Sequence, residues 1–147
     1  SNFFTREIEI AGHEINKRIM QELNTDYISA NDKKNELGIN VFNDQNNNTD
    51  NENSISIEKR TVFNDLVEEI RKTLRFYMKS NNQSFFNTFY LFGGCANIPG
   101  LKEFISSNLN VQIEELNPFE NILNESNIEN PAQYAIAIGL ALRGLDE

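Results

Sequence analysis

The sequence is poor in the residues that build cross-linked or metal-held scaffolds. Its 147 residues include one cysteine and one histidine. A single cysteine cannot form a disulfide within the chain, which is typical of a reducing, cytosolic compartment. A lone histidine without a second cysteine or histidine nearby excludes the usual zinc constellations. The chain is nevertheless long enough to bury a core of its own without such cross-links.

Long apolar runs and an excess of positive charge are also missing. No apolar stretch approaches the roughly 20 residues that a membrane-spanning helix needs, so direct membrane insertion is not expected. Thirteen basic residues stand against twenty-two acidic ones, which gives a net charge of −9. That balance argues against nucleic acid and against an anionic membrane surface as direct partners.

The first third of the chain carries one strand pattern and two helix patterns. Residues 3–10 alternate apolar and polar side chains and include β-branched and aromatic residues, which predicts a strand. From Gly12 onward, apolar residues recur at every fourth position, as on one face of a helix. Asp26 is a suitable N-cap for a second helix, and Gly38 is a suitable residue at its end.

An asparagine-rich stretch follows these helices. Seven of the fourteen residues from 40 to 53 are asparagine. Such a stretch offers too little apolar surface to offset the entropy lost on ordering, so it is predicted to be a mobile loop. A low-complexity interaction segment is the alternative reading of the same composition.

The rest of the chain alternates helices with short strands. Apolar residues spaced by three or four predict a long helix from about residue 58. The aromatic run at 85–92 predicts a strand buried on both faces, and 111–116 predicts a second strand. Helices are predicted to begin near Pro99 and at Asn130, where a proline suits the first turn. This order predicts a layered α/β domain with at least one parallel strand pair.

The stretch YLFGGCANIPGLKEF, residues 90–104, joins the buried strand to the helix after it. In α/β sheets, ligands bind beyond the carboxyl ends of strands, and glycines there let a ligand approach the backbone. Gly93 and Gly94 therefore either form part of a ligand site or only allow a tight turn. The stretch matches neither the Walker phosphate loop nor the dinucleotide-binding fingerprint.

The other residues that could take part in catalysis or metal binding have no suitable partner residues near them in the sequence. His13, at a helix start, reads as a capping or surface residue. Cys95 follows the glycines where a thiolate could be stabilised, but no nearby histidine or acid is placed to activate it, so a small buried side chain is favoured. The sequence therefore predicts no catalytic residue and no metal ligand on this chain.

Several motifs together carry a resemblance to a known family. They are REIEIAGHEINKRI (6–19), LVEEIRKTLRFY (66–77), FYLFGGCANIPGLKEFI (89–105), VQIEELNPF (111–119) and YAIAIGLALRGL (134–145). With this spacing the chain resembles the PilM family of type IV pilus assembly proteins, which belongs to the actin-like ATPase superfamily and is related to FtsA. The resemblance covers nearly all of the chain except the asparagine-rich stretch.

The resemblance implies a partial actin-like, ribonuclease H-like ATPase lobe. Its layered sheet with flanking helices would form a base from residues 1–23 and 58–147. Residues 24–57 would form a small inserted tip that includes the flexible loop 40–53. The helix over 135–142 would pack near the hinge between two lobes. The phosphate loops and the metal-holding acids of the family would precede Ser1, so the chain is expected to be a piece of a longer protein.

The resemblance also implies a nucleotide site in the intact protein. Gly93 and Gly94 would be the backbone platform for adenine and ribose, Lys34 would lie over the base, and Gly12 would lie near the phosphates. Asn31 stands where the family has a glutamate that holds the ribose or the base. The residues implied in nucleotide binding are Gly12, Asn31, Lys34, Gly93, Gly94 and Cys95.

These implications define an expected function. The intact protein would bind ATP and Mg²⁺ between two lobes, whereas this chain alone is expected to bind neither strongly and to have no activity of its own. Its partners would be pilus assembly proteins such as PilN, held in a groove of the other lobe, on the cytoplasmic side of the inner membrane. The isolated piece is expected to expose apolar surface and to self-associate. The alternatives are an FtsA-like filament-forming division protein and an interaction module without a nucleotide site.

Overall fold

Helices account for most of the regular structure in the chain. The computed structural model describes residues 4–48, 60–82, 85–120 and 128–145, without the side chains of 44–48. The chain divides into two compact units, Ser1–Phe85 and Phe86–Glu147. The base and tip subdomains implied by the resemblance remain a prediction.

The first two helices of the chain pack against each other. Helix α1 spans Gly12–Leu23 and α2 spans Tyr27–Leu37. Ile15 and Ile19 of α1 are 1% and 0% exposed, and Ala30 of α2 is fully buried. The apolar spacing in the sequence predicts this packed face of α1 correctly.

The ends of α2 are set by the two residues that the sequence singles out. The Asp26 carboxylate accepts the backbone N–H groups of Ile28 and Ser29, at 2.9 and 3.0 Å, and so caps the helix. At the other end, Gly38 has φ +58° and donates its N–H to the carbonyl of Lys34. Both predicted ends of α2 are confirmed.

The predicted loop begins with helical turns instead. A 3₁₀ helix spans Gly38–Asn48, so the prediction of a loop from residue 40 is wrong up to residue 48. Val41 and Phe42 are buried, and the Phe42 ring lies 6.2 Å from that of Phe63. These two side chains bury apolar surface, which the prediction from the asparagine content of the stretch did not take into account. The remainder of the predicted loop lies outside the described residues.

The long central helix of the first unit is α3, Val62–Asn81. Thr61 caps its start, where its backbone N–H donates to the Asn64 side-chain oxygen at 2.8 Å. Val62, Phe63 and Val67 are buried. The predicted apolar stripe is therefore fully buried only over the first part of the helix.

The predicted strand at 3–10 is not observed. Residues 4–10 are not part of a strand and have no ladder partner among the described residues. Instead, Arg6 lies against α3, where it contacts the Glu69 carboxylate and the Thr73 hydroxyl, each at 2.8 Å. Alternation shows which side chains can share a face, but a strand also needs a hydrogen-bonding neighbour.

The second unit contains a small parallel sheet. Strand β1, Phe89–Leu91, pairs in parallel with β2, Ile113–Glu115. Helix α4, Leu101–Leu109, connects them and buries Leu101 and Ile105. The predicted parallel pair is confirmed.

The prediction that 85–92 is a strand buried on both faces is wrong. The strand is three residues long, and in the described part of the chain it pairs only with β2. Phe85 is 68% exposed, Tyr90 58% and Phe92 51%. An apolar composition shows that a segment tends to be covered, but it does not show that the same unit provides the cover.

The last helix follows a short 3₁₀ turn. Pro131–Tyr134 forms the turn and α5 spans Ala135–Leu145, so the predicted early proline is confirmed. Asn130 stands at the N-cap position of the turn, with φ +54° and without a side-chain cap hydrogen bond. No residue of α5 is buried.

Left-handed asparagines end three of the described helices, and this arrangement gives a stability prediction. Asn110 has φ +53° at the end of α4, and Asn24 and Asn82 end α1 and α3 in the same way. Because alanine is disfavoured in this conformation, Asn110→Ala is expected to lower the free energy of unfolding by roughly 1 kcal/mol. Asn110→Gly should leave it unchanged or raise it. Urea denaturation of both variants measures the difference, and equal stability of the two would contradict the assignment.

Candidate functional site

Gly93 shapes the turn that follows β1. Its φ of +92° and ψ of 175° lie in a region that only glycine adopts readily. Its N–H donates to the Ala132 carbonyl at 2.9 Å, and its own carbonyl accepts the Ala96 N–H at 3.0 Å. The conformation of the turn is therefore sufficient to require glycine at this position.

Gly94 differs from its neighbour because the fold described here does not require it. It begins a 3₁₀ helix, Gly94–Asn97, and its φ is not positive. A Cβ placed on Gly94 would have no heavy atom within 4 Å among the described residues. Neither backbone strain nor packing among the described residues requires glycine at this position, and a side chain there would point into open space.

Cys95 follows in the same 3₁₀ helix. It is a free, half-buried cysteine. The next residue, Ala96, is 3% exposed and anchors the turn to the core of the unit. Gly93, Gly94 and Cys95 thus form one continuous turn at the carboxyl end of β1, as the sequence predicts.

The first unit contains a buried lysine that has no carboxylate partner among the described residues. Lys34 on α2 is 7% exposed, and its Nζ donates to Oδ1 of Asn31 at 3.0 Å. No ion pair links Lys34 to an acidic side chain of the described residues. A buried ammonium held by one neutral amide is costly unless further acceptors are supplied.

Asn16 is a third member of this cluster and is missed by the reading of the sequence. It lies on α1, is 1% exposed, and donates from Nδ2 to Oδ1 of Asn31 at 3.3 Å. Its own Oδ1 is buried without a hydrogen-bond partner. A sequence signal was present, because Asn16 is a polar residue between Ile15 and Ile19 on the apolar face of α1.

Gly12 is the first residue of α1, four positions before Asn16. It is half-buried, and the preceding Ala11 provides no side-chain cap to the helix. The structure thus places the expected residues in two groups. The first unit holds Gly12, Asn31 and Lys34, with Asn31 and Lys34 in direct contact, and the second unit holds the Gly93–Cys95 turn.

The described residues contain neither a candidate metal-binding cluster nor a candidate membrane-spanning helix. No group of three or more histidine, cysteine, aspartate or glutamate side chains in the described ranges could hold a metal ion. No described helix combines the length and apolar character needed to cross a membrane.

Comparisons with known proteins bear on the fold and on the family of the chain. A solved structure, "PilM-PilN type IV pilus biogenesis complex", superimposes with a TM-score of 0.73 at 24% sequence identity, which shows a shared fold. The match covers 97% of this chain but only 39% of the other. A search among curated proteins gives no match. The family model "Type IV pilus assembly protein PilM" matches residues 1–145. The chain therefore belongs to the PilM family of type IV pilus assembly proteins.

Proposed function

We propose that this chain is the adenosine-side part of an ATP-binding scaffold protein of the type IV pilus inner-membrane assembly platform. The family match over residues 1–145 is the observation that carries the proposal. The parallel β1–β2 pair and the TM-score of 0.73 support the assignment to one lobe of an actin-like, ribonuclease H-like fold. The family that matches is PilM, which favours the pilus function over the FtsA-like division function.

The local geometry fits an adenosine group. The turn at Gly93 holds its shape through backbone hydrogen bonds, and Gly94 leaves the adjacent space free of side chains. The buried Lys34 ammonium has donors left over after its bond to Asn31. A flat group such as adenine suits a bare backbone surface like that of the Gly93–Gly94 turn.

The phosphates and Mg²⁺ are assigned to the rest of the protein. No metal-holding cluster occurs among the residues that the structure describes. An adenosine of about 19 heavy atoms at about −0.3 kcal/mol each reaches roughly −6 kcal/mol in a complete pocket, a dissociation constant of tens of micromolar. With only part of that pocket, the isolated chain is expected to bind ATP in the millimolar range or weaker.

The proposed partner and the proposed location follow from membership in the PilM family. The superimposed structure is named as a complex of PilM with PilN, so we propose a PilN-type protein as the partner of the full-length protein. The chain covers 39% of that structure's chain, and we assign the PilN-binding groove to the other lobe, as the family resemblance implies. In this role the protein lies at the cytoplasmic face of the inner membrane and is held there by its partners.

A thermal-shift experiment on the full-length protein tests ATP binding. ATP at about a hundred times its dissociation constant stabilises the folded state by about 2.7 kcal/mol, which raises the melting temperature by several degrees. The isolated 147-residue chain is the control and should show no shift. No ATP-induced shift of the full-length protein at millimolar ATP would sink the proposal and favour an interaction module. An ATP-dependent rise in light scattering would instead indicate an FtsA-like filament.

A further inference from the structure

Helix α2 packs on α1 in an orientation that ordinary burial preferences do not favour. Its two buried residues are Ala30 and Lys34, and Lys34 is only 7% exposed. Ile28, on the same helix, is 73% exposed. Because isoleucine is normally buried and lysine is normally exposed, both of these residues are placed against their usual preference.

Ile28 and Lys34 cannot both face α1. Six positions separate them in the sequence, and at about 100° per residue they lie about 120° apart around the helix. A rotation of α2 that brings Ile28 towards α1 therefore carries Lys34 out towards water. Apolar burial and hydration of the ammonium group both favour that rotation. Another interaction is needed to hold α2 in the observed orientation.

The buried contact that opposes this rotation is polar and joins the two helices. Asn16 on α1 donates from Nδ2 to Oδ1 of Asn31 on α2, at 3.3 Å. The same oxygen accepts from Nζ of Lys34 at 3.0 Å. Since an ammonium group can only donate, these two bonds fix which atom of each amide is the oxygen. A further link, between Nδ1 of His13 and the Tyr27 hydroxyl at 3.4 Å, is exposed.

We propose that Asn16 is a latch, a positioning residue that holds α2 with Lys34 inward and Ile28 outward. Without the latch, α2 takes a second orientation in which these two residues exchange places. Asn16 lies on the apolar face of α1 with Ile15 and Ile19 and is 1% exposed. Its Oδ1 is buried without a hydrogen-bond partner among the described residues, a cost that an apolar side chain avoids. A single buried asparagine that selects the register of a coiled coil carries the same kind of cost.

The substitution Asn16→Leu in the full-length protein tests the latch. Leucine removes the unpartnered oxygen together with the hydrogen bond to Asn31, so the melting temperature should be retained or raised. Because α2 is released, acetylation of Lys34 by N-hydroxysuccinimidyl acetate should become about tenfold faster or more. Lys33 is already exposed and serves as the internal reference, with an unchanged rate. Mass spectrometry of the labelled fragments measures both rates.

Ile15→Val is the matched control, because it alters the same buried face of α1 without removing a hydrogen bond. It should lower the melting temperature and leave Lys34 as slow to react as in the wild-type protein. If leucine at position 16 prevents folding, Asn16→Ala takes its place. Alanine leaves a cavity and lowers the melting temperature, but it breaks the same bond and should accelerate the labelling of Lys34 by the same factor.

The labelling rates and the melting temperatures together decide the matter. Faster labelling of Lys34 in Asn16→Leu, with the melting temperature retained, supports the latch. Lys34 that stays protected in Asn16→Leu would overturn it, whether or not the melting temperature changes. Lys34 that reacts as fast as Lys33 in the wild-type protein would also overturn it, since α2 would then not be held. None of these outcomes depends on ATP binding, so the proposed function is tested separately.

Discussion

The substitution Gly94→Val in the full-length protein is expected to weaken ATP binding by about a hundredfold or more, equivalent to about 2.7 kcal/mol. The physical reason is local. A Cβ on Gly94 meets no heavy atom of the described residues within 4 Å, and we expect the valine methyl groups beyond it to occupy the open space that we assign to adenine and ribose. Because Gly94 has no positive φ, the fold itself should tolerate valine, with a change in melting temperature of no more than about 2 °C.

Gly93 provides the matched contrast to that substitution. Its φ of +92° makes any side chain strained, so Gly93→Ala should destabilise the protein by about 1–3 kcal/mol whether or not ATP is present. Glu103→Gln, on the exposed surface of α4, is a control that should change neither the ATP affinity nor the melting temperature. For the three variants, calorimetry measures the ATP affinity and thermal melts measure the melting temperature. Unchanged ATP affinity in Gly94→Val would remove this turn from the site.

Helix ends are the part of the fold that local chemistry determines most completely. The cap at Asp26 and the glycine at Gly38 are each satisfied by hydrogen bonds within a few residues, so the sequence predicts both ends of α2. The same holds for the buried face of α1, which depends on spacing alone. These features need no knowledge of the rest of the molecule.

Strand formation and coverage could not be predicted because they depend on distant parts of the chain. Residues 4–10 have an alternating pattern, yet no described strand offers them a ladder. The aromatic run at 85–92 predicts burial, yet Tyr90 is 58% exposed in this unit. Both predictions are wrong, because a local pattern does not show whether a neighbouring strand or a covering element is present, and the described residues provide neither.

Part of the candidate site could likewise be predicted from the sequence, and part of it required the structure. The expectation for Lys34 came from the resemblance alone, whereas Gly94 stands out in the sequence as one of two glycines at the carboxyl end of a predicted strand. The structure adds that Lys34 is buried without an ion pair to any described carboxylate, and that a Cβ on Gly94 would meet no described heavy atom within 4 Å. Asn16 could have been found as a polar residue on an apolar helix face, but its hydrogen bond to Asn31 joins two helices and requires the tertiary structure.

The isolated 147-residue chain is expected to self-associate through α5 at tens of micromolar. This helix has one charged residue in eleven, Arg143, and none of its residues is buried. Ile136 and Leu140, one turn apart, are 64% and 65% exposed. A helix that is apolar on all sides is normally covered on all sides. In the full-length protein we assign that cover to the second lobe, since the chain matches only 39% of its structural relative.

The double substitution Ile136→Glu and Leu140→Glu is expected to act differently in the isolated chain and in the full-length protein. In the isolated chain it should convert dimers or larger species to monomers, measured by light scattering after size exclusion, with little change in stability because both side chains are exposed. In the full-length protein it should cost several kcal/mol, because about 2–3 kcal/mol is lost for each large apolar side chain that gives way to a buried charge. Gln133→Glu, on the exposed 3₁₀ turn before α5, adds the same kind of charge and should change neither property. A monomeric wild-type chain, or a full-length double variant as stable as wild type, would show that α5 is a solvent-exposed helix after all.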